Sequence, residues 1–122
     1  MSPKFAIATI DRCAGTLVVI IGLVHLAVGR GAFVAPTNGG IWFLSAGFLL
    51  VTTGLANIAA SGSPSRLQSA AAASGSLAVL VLGALIARVD PGLLLSPQTL
   101  ILLGLGSVLT ALRLRDLLRR HR

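Results

Sequence analysis

Residues 14–30 form an apolar run of nearly membrane-spanning length in which glycine recurs every seven residues. The glycines are Gly15, Gly22 and Gly29, and His25 falls on the same face of the predicted helix. Residues seven apart in a helix lie nearly on one line, so these positions form a continuous stripe. Helices in lipid associate through such small residues because no hydrophobic force drives them together. The run therefore predicts a transmembrane helix that packs closely against another helix.

A second apolar stretch, beginning at Gly40, repeats this spacing with Gly47 and Gly54. Phe43, Leu50 and Asn57 are interleaved with these glycines. The connection between the two stretches contains Pro, Asn and Gly and is short, which favours antiparallel neighbours. We therefore expect the two glycine stripes to face one another. We also expect Asn57 to donate or accept a hydrogen bond across helices.

The composition places the chain in a membrane. Hydrophobic residues make up 55% of it and charged residues only 11%, whereas a soluble domain carries about 25% charged residues. We predict one all-α membrane domain covering residues 1–122, a bundle of four transmembrane helices with small-residue packing stripes. The expected helices cover residues 3–29, 40–60, 65–88 and 96–118, each bound being approximate.

The distribution of lysine and arginine predicts the orientation of the four helices. One side of the membrane would hold eight of these residues, and the other side only Arg30 and Arg88. Because positive residues accumulate on the cytoplasmic side, both termini are expected to be cytoplasmic. The Arg-rich C-terminus is expected to bind anionic lipid, and a flanking cluster of this kind does not indicate nucleic-acid binding. The eight residues are Lys4, Arg12, Arg66, Arg113, Arg115, Arg119, Arg120 and Arg122.

His25 is the sharpest candidate for a functional residue, since an ionisable side chain inside a span points to a site by default. The alternative is that a neutral His25 hydrogen-bonds another helix and fixes its register. Trp42 has a similar alternative role as an interfacial anchor. A metal or haem site is not expected, because His121 is the only other histidine and lies at the opposite side. No cofactor is predicted. The candidate ligand-binding residues are His25, Arg30, Trp42 and Asp90.

No catalytic residues are predicted, and the chain is not expected to be an enzyme. Asp11, beside Arg12 near the cytoplasmic edge, is expected to form an interfacial ion pair or a hydrogen-bonded anchor. The single cysteine, Cys13, excludes an oxidoreductase that uses paired thiols. Four-helix multidrug exporters carry a central glutamate in their first helix, and this chain contains no glutamate. Small fluoride channels are disfavoured because their aromatic and polar pore pattern is missing.

Several short motifs in the first two helices carry a resemblance. They are Gly22-Leu-Val-His25 in helix one, and Trp42-Phe43 with Gly47 and Gly54 in helix two. The chain resembles small uncharacterised four-helix bacterial membrane proteins over about half of its length. The resemblance implies a multi-pass protein of the bacterial cytoplasmic membrane and transfers no activity.

Two functions remain open from the sequence. The first is a structural or accessory role, as a homo-oligomer or as a subunit of a larger membrane complex. The second is binding or transport of a lipid or small amphiphile through an outward-facing cavity near His25.

Overall fold

The computed structural model describes residues 3–32, 37–62 and 65–119. The described residues are helical with short connections and contain no strand, so the predicted all-α class is confirmed. The observed bounds of the long helices differ from the expected ones by at most three residues. The elements are α1 Pro3–Ala32, α2 Asn38–Ala59, α3 Arg66–Val89, the short α4 Pro91–Leu94 and α5 Pro97–Arg119.

The starts of α2 and α3 follow from their capping residues. The Thr37 hydroxyl accepts a hydrogen bond from the backbone N–H of Gly40 at 3.1 Å. Ser65 and Gln68 form a reciprocal capping box at the start of α3, which satisfies two backbone donors that the helix leaves unpaired. Asp90 ends α3, and α4 begins at the proline that follows it.

The α1 and α2 helices pack so closely that their backbones are in contact. A Cβ atom placed on Gly54 would lie 2.6 Å from the carbonyl oxygen of Gly15, and one on Gly22 would lie 2.9 Å from that of Gly47. No side chain larger than hydrogen fits at either position without moving the partner helix. The predicted packing glycines are all buried, namely Gly15, Gly22, Gly29, Gly40, Gly47 and Gly54.

The α3 and α5 helices form a second close pair. A Cβ on Gly83 of α3 would lie 2.7 Å from Leu103, and one on Gly106 of α5 would lie 3.0 Å from Leu80. The buried face of α5 continues from Gly106 through Leu109. The two pairs meet along α2 and α3, whereas α1 and α5 contact each other less extensively.

Three of the helices are long and apolar enough to cross a membrane. They are α1 over Ala6–Gly31, α2 and α3. Within the described part of the chain, α5 is not in this group. Its last third carries Arg113, Arg115, Asp116 and Arg119, and these charges lower its average hydropathy.

Candidate functional site

Arg113 of α5 lies fully buried between the helices, and its guanidinium makes five polar contacts. Nε donates to the side-chain oxygen of Asn57 at 3.0 Å, and Nη1 donates to the carbonyl oxygen of Ala60 at 2.8 Å. Nη2 donates to the Asn57 carbonyl oxygen at 3.0 Å and to the carboxylate of Asp11. A longer contact of 3.4 Å joins Nη1 to Asp116. A guanidinium has five N–H groups, so its donor capacity is matched.

These contacts extend to all four long helices. The side-chain nitrogen of Asn57 donates to the hydroxyl of Ser76 on α3 at 3.0 Å and to the carbonyl oxygen of Thr53 at 2.9 Å. Asp11 of α1 is only 3% exposed, so its ion pair with Arg113 is a buried one. We call this set the polar cluster, and it comprises Asp11, Asn57, Ser76, Arg113 and Asp116.

The expectation that Arg113 belongs to a lipid-facing basic tail is wrong. Arg113 is buried and satisfied by protein groups, whereas Arg115 contacts Asp116 at 3.4 Å and Arg119 is exposed. Arg120 and Arg122 lie outside the described residues.

Asp11 was expected to form an ion pair or a hydrogen-bonded anchor, and the structure shows its partner. Asp11 pairs with Arg113 and not with the adjacent Arg12, because consecutive helix residues point about 100° apart. Arg12 instead donates to the Ser61 hydroxyl at 2.8 Å.

An apolar groove of about 900 Å³ runs between α2 and α3, at the end of the bundle opposite the polar cluster. The two helices touch near the cluster, where a Cβ on Gly75 would lie 2.8 Å from the Thr53 hydroxyl. Beyond this contact, small side chains leave the space between the helices unfilled. We call this space the groove, and its lining includes Ser45, Ala46 and Leu49 of α2 and Ser74, Ala78 and Ile86 of α3.

His25 of α1 lines the inner wall of the groove in a fixed orientation. Its imidazole stacks on the Phe43 ring, with centroids 4.4 Å apart and planes inclined by 12°. Both predicted roles of His25 are therefore geometrically available, because the ring packs between helices and still borders an open space.

The four predicted ligand-binding residues are only partly brought together. His25 and Trp42 line the same groove, and Trp42 is 69% exposed. Arg30 and Asp90 are exposed at nearby helix ends and are not part of the groove wall. The Asp90 carboxylate accepts a hydrogen bond from the Gly92 backbone N–H at 3.0 Å, which holds the turn after α3.

Among the described residues, no three His, Cys, Asp or Glu side chains lie close enough together to hold a metal ion. No protein-family model, curated protein or solved structure matches the chain. The groove and the polar cluster are thus the two features from which a function can be argued.

Proposed function

We propose that this chain is a multi-pass protein of the bacterial cytoplasmic membrane that binds one hydrocarbon chain of a lipid or small amphiphile in the groove. The observation that carries the proposal is the size and apolar lining of the groove. Its volume of about 900 Å³ lies within the range of about 300–1,000 Å³ that is usual for small-molecule sites.

The length of the groove favours a hydrocarbon chain over a transmembrane helix as its occupant. On α2 the groove extends from Gly39 to Leu49, and on α3 from Ser74 to Ile86. At 1.5 Å per residue these stretches measure roughly 15 and 18 Å. The hydrocarbon core of a bilayer is about 30 Å thick. The groove therefore matches the depth of one leaflet, whereas a partner helix would cross both.

Distances measured along α1 and α5 support α5 as a fourth transmembrane helix, with both termini in the cytoplasm. Thr99 borders a cavity beside His25, and Arg113 pairs with Asp11 at the other end. From Asp11 to His25 and from Thr99 to Arg113 the chain advances 14 positions, or roughly 21 Å. The α5 helix thus extends across the same depth as α1. Without the buried Arg113, seven lysine and arginine residues remain on the cluster side against two on the other, which supports a cytoplasmic cluster.

The polar group of the amphiphile would lie at the His25 end of the groove. Trp42 lines the groove there, as expected of an indole at the membrane–water interface. Arg30 in the last turn of α1 and Asp90 at the end of α3 offer charged groups beyond the apolar wall. At the opposite end, exposed Arg119 and the residues after it remain our proposed contacts with anionic lipid. No catalytic step is proposed for either end.

A structural or accessory role is the second candidate. The glycine stripes on which the expectation of assembly rests are occupied within the chain by the α1–α2 contact. Assembly as a homo-oligomer or with a larger complex would need another surface. The small groove residues Ser45, Ala46, Ser74 and Ala78 offer one, because small side chains permit close helix contact.

The test compares two phenylalanine substitutions on α3. Ala78→Phe places a ring in the groove, whereas Ala84→Phe places the same ring on an exposed position outside it. Brominated palmitate would be titrated into the protein in dodecylmaltoside micelles, with quenching of the single tryptophan, Trp42, as the readout. We expect saturable quenching that unlabelled palmitate reverses, weakened at least tenfold by Ala78→Phe alone.

Quenching that does not saturate, or that both substitutions affect equally, would refute binding in the groove. Purification of the protein and both variants from the native membrane tests the accessory role. A stoichiometric protein partner that Ala78→Phe releases and Ala84→Phe retains would instead support the accessory role.

A further inference from the structure

We propose that His25 is a specificity-determining residue that limits the width of the chain the groove accepts. This inference rests on the proposed function, since it concerns the ligand of the same groove. His25 borders the groove, a small interior cavity of about 60 Å³ and a crevice of about 310 Å³ between α1 and α5. Of the described residues, it alone lines all three spaces.

The three spaces form a row across the bundle. The groove opens between α2 and α3 on one side, and the crevice opens between α1 and α5 on the other. The interior cavity lies between them and is bordered by Gly83, Thr99 and Leu102. The α2–α3 and α1–α5 interfaces, where the groove and the crevice open, are less extensive than the α1–α2 and α3–α5 interfaces. The helix pairs are therefore partly separated across their whole width at the His25 end, and His25 occupies the middle of that separation.

The imidazole is held in this position by Phe43 of α2. The Phe43 ring, which also lines the groove, stacks on it with the centroids 4.4 Å apart. Ala46, Leu82 and Ile86 also border both the groove and the interior cavity, but none of them lines the crevice. A straight hydrocarbon chain can lie in the groove against this wall. A broad, ring-containing amphiphile would meet the imidazole before it was buried to the same depth.

Removal of the imidazole would join the groove, the interior cavity and the crevice. The lining of the crevice is apolar apart from His25, since it consists of Ile20, Ile21, Val24 and Ile101. A wide ligand could then bury additional apolar surface. A tenfold gain in affinity equals about 1.4 kcal/mol, which corresponds to roughly 60 Å² of extra burial.

The experiment measures two probes against the native protein and four variants. The probes are palmitate, which is straight, and cholesteryl hemisuccinate, which has a fused-ring body. Both are measured by competition with brominated palmitate. In His25→Ala we expect at least a tenfold gain for cholesteryl hemisuccinate and less than a threefold change for palmitate. His25→Phe restores a ring of similar width, so it should bind both probes as the native protein does.

Leu100→Ala is the matched control, since Leu100 is exposed and lines none of the three spaces, so both probes should bind it as they bind the native protein. His25→Ser is measured as a second small substitution, and elution volume and circular dichroism establish which variants fold. If the folded small variants bind palmitate but show no gain in affinity for cholesteryl hemisuccinate, the specificity role of His25 is refuted and the proposed function is not. A failure of the native protein to bind palmitate refutes the proposed function instead. If neither small variant folds, His25 is a structural residue and its assignment to specificity is overturned.

Discussion

Replacing Asp11 by asparagine should destabilise the bundle far more than its small change in shape suggests. The substitution leaves Arg113 charged and fully buried, with its nearest countercharge removed. Breaking a buried ion pair typically costs about 3–5 kcal/mol. Three of the contacts of Arg113 go to neutral oxygens of Asn57 and Ala60, which stay in place. We therefore expect a loss near the lower limit, about 3 kcal/mol.

The matched control is Asp116→Asn, which removes the other carboxylate that contacts Arg113. That contact is longer, at 3.4 Å, and the Asp116 side chain is 26% exposed, so the expected cost is about 0–1 kcal/mol. The free energy of unfolding would be measured by titrating dodecyl sulfate into dodecylmaltoside micelles, with helicity as the signal. Asp11→Asn combined with Arg113→Gln should recover part of the loss, because no buried charge remains. Equal costs for Asp11→Asn and Asp116→Asn, or strict additivity in the double variant, would refute the buried ion pair as a stabilising element.

Two further predictions concern packing and topology. Gly54→Ala should reduce the free energy of unfolding by about 1–3 kcal/mol, because the new methyl group meets a backbone oxygen across the helix pair. The control is Gly104→Ala, whose methyl group meets nothing within 4 Å. It should be neutral or stabilise the protein by up to about 1 kcal/mol. Equal effects would count against close α1–α2 packing. With Cys13 replaced by serine, Asn38→Cys should react with an impermeant maleimide on intact bacterial cells, and Leu67→Cys only after permeabilisation. Labelling of both from outside would contradict the proposed orientation.

The helices and the predicted packing stripes could be located from the sequence because their signals are local. Glycine at Gly15 and Gly22, and again at Gly47 and Gly54, marks the face of each helix that admits close contact. The structure places these faces against one another. A repeat within about twenty residues needs no knowledge of the rest of the fold.

The polar cluster could not be predicted with the same ease, because Asp11 and Arg113 are separated by 102 positions. From the sequence, Arg113 was counted with the arginines of the Arg-rich C-terminus. It lies seven residues after Gly106, however, and therefore on the same helix face as that glycine. That spacing is the signal that sequence analysis missed. Asn57, on its own glycine stripe, was correctly expected to hydrogen-bond across helices and does so to both α3 and α5.

The groove was predicted only as a cavity near His25, without its position between α2 and α3. Small residues such as Ala46 and Ala78 permit close packing or leave space, and the sequence does not distinguish the two outcomes. Their effect depends on the angle between two helices. The polar contacts at the opposite end of the bundle constrain that angle.

The arrangement of the two helix pairs gives the molecule the mechanics of a lever. The pairs are joined by the polar cluster at one end and partly separated at the other, with roughly 21 Å between the levels of Asp11 and His25. A rotation of about 5° about the cluster would displace the far ends by about 2 Å over that length. A rotation of this size would thus widen the groove by about the radius of a methyl group.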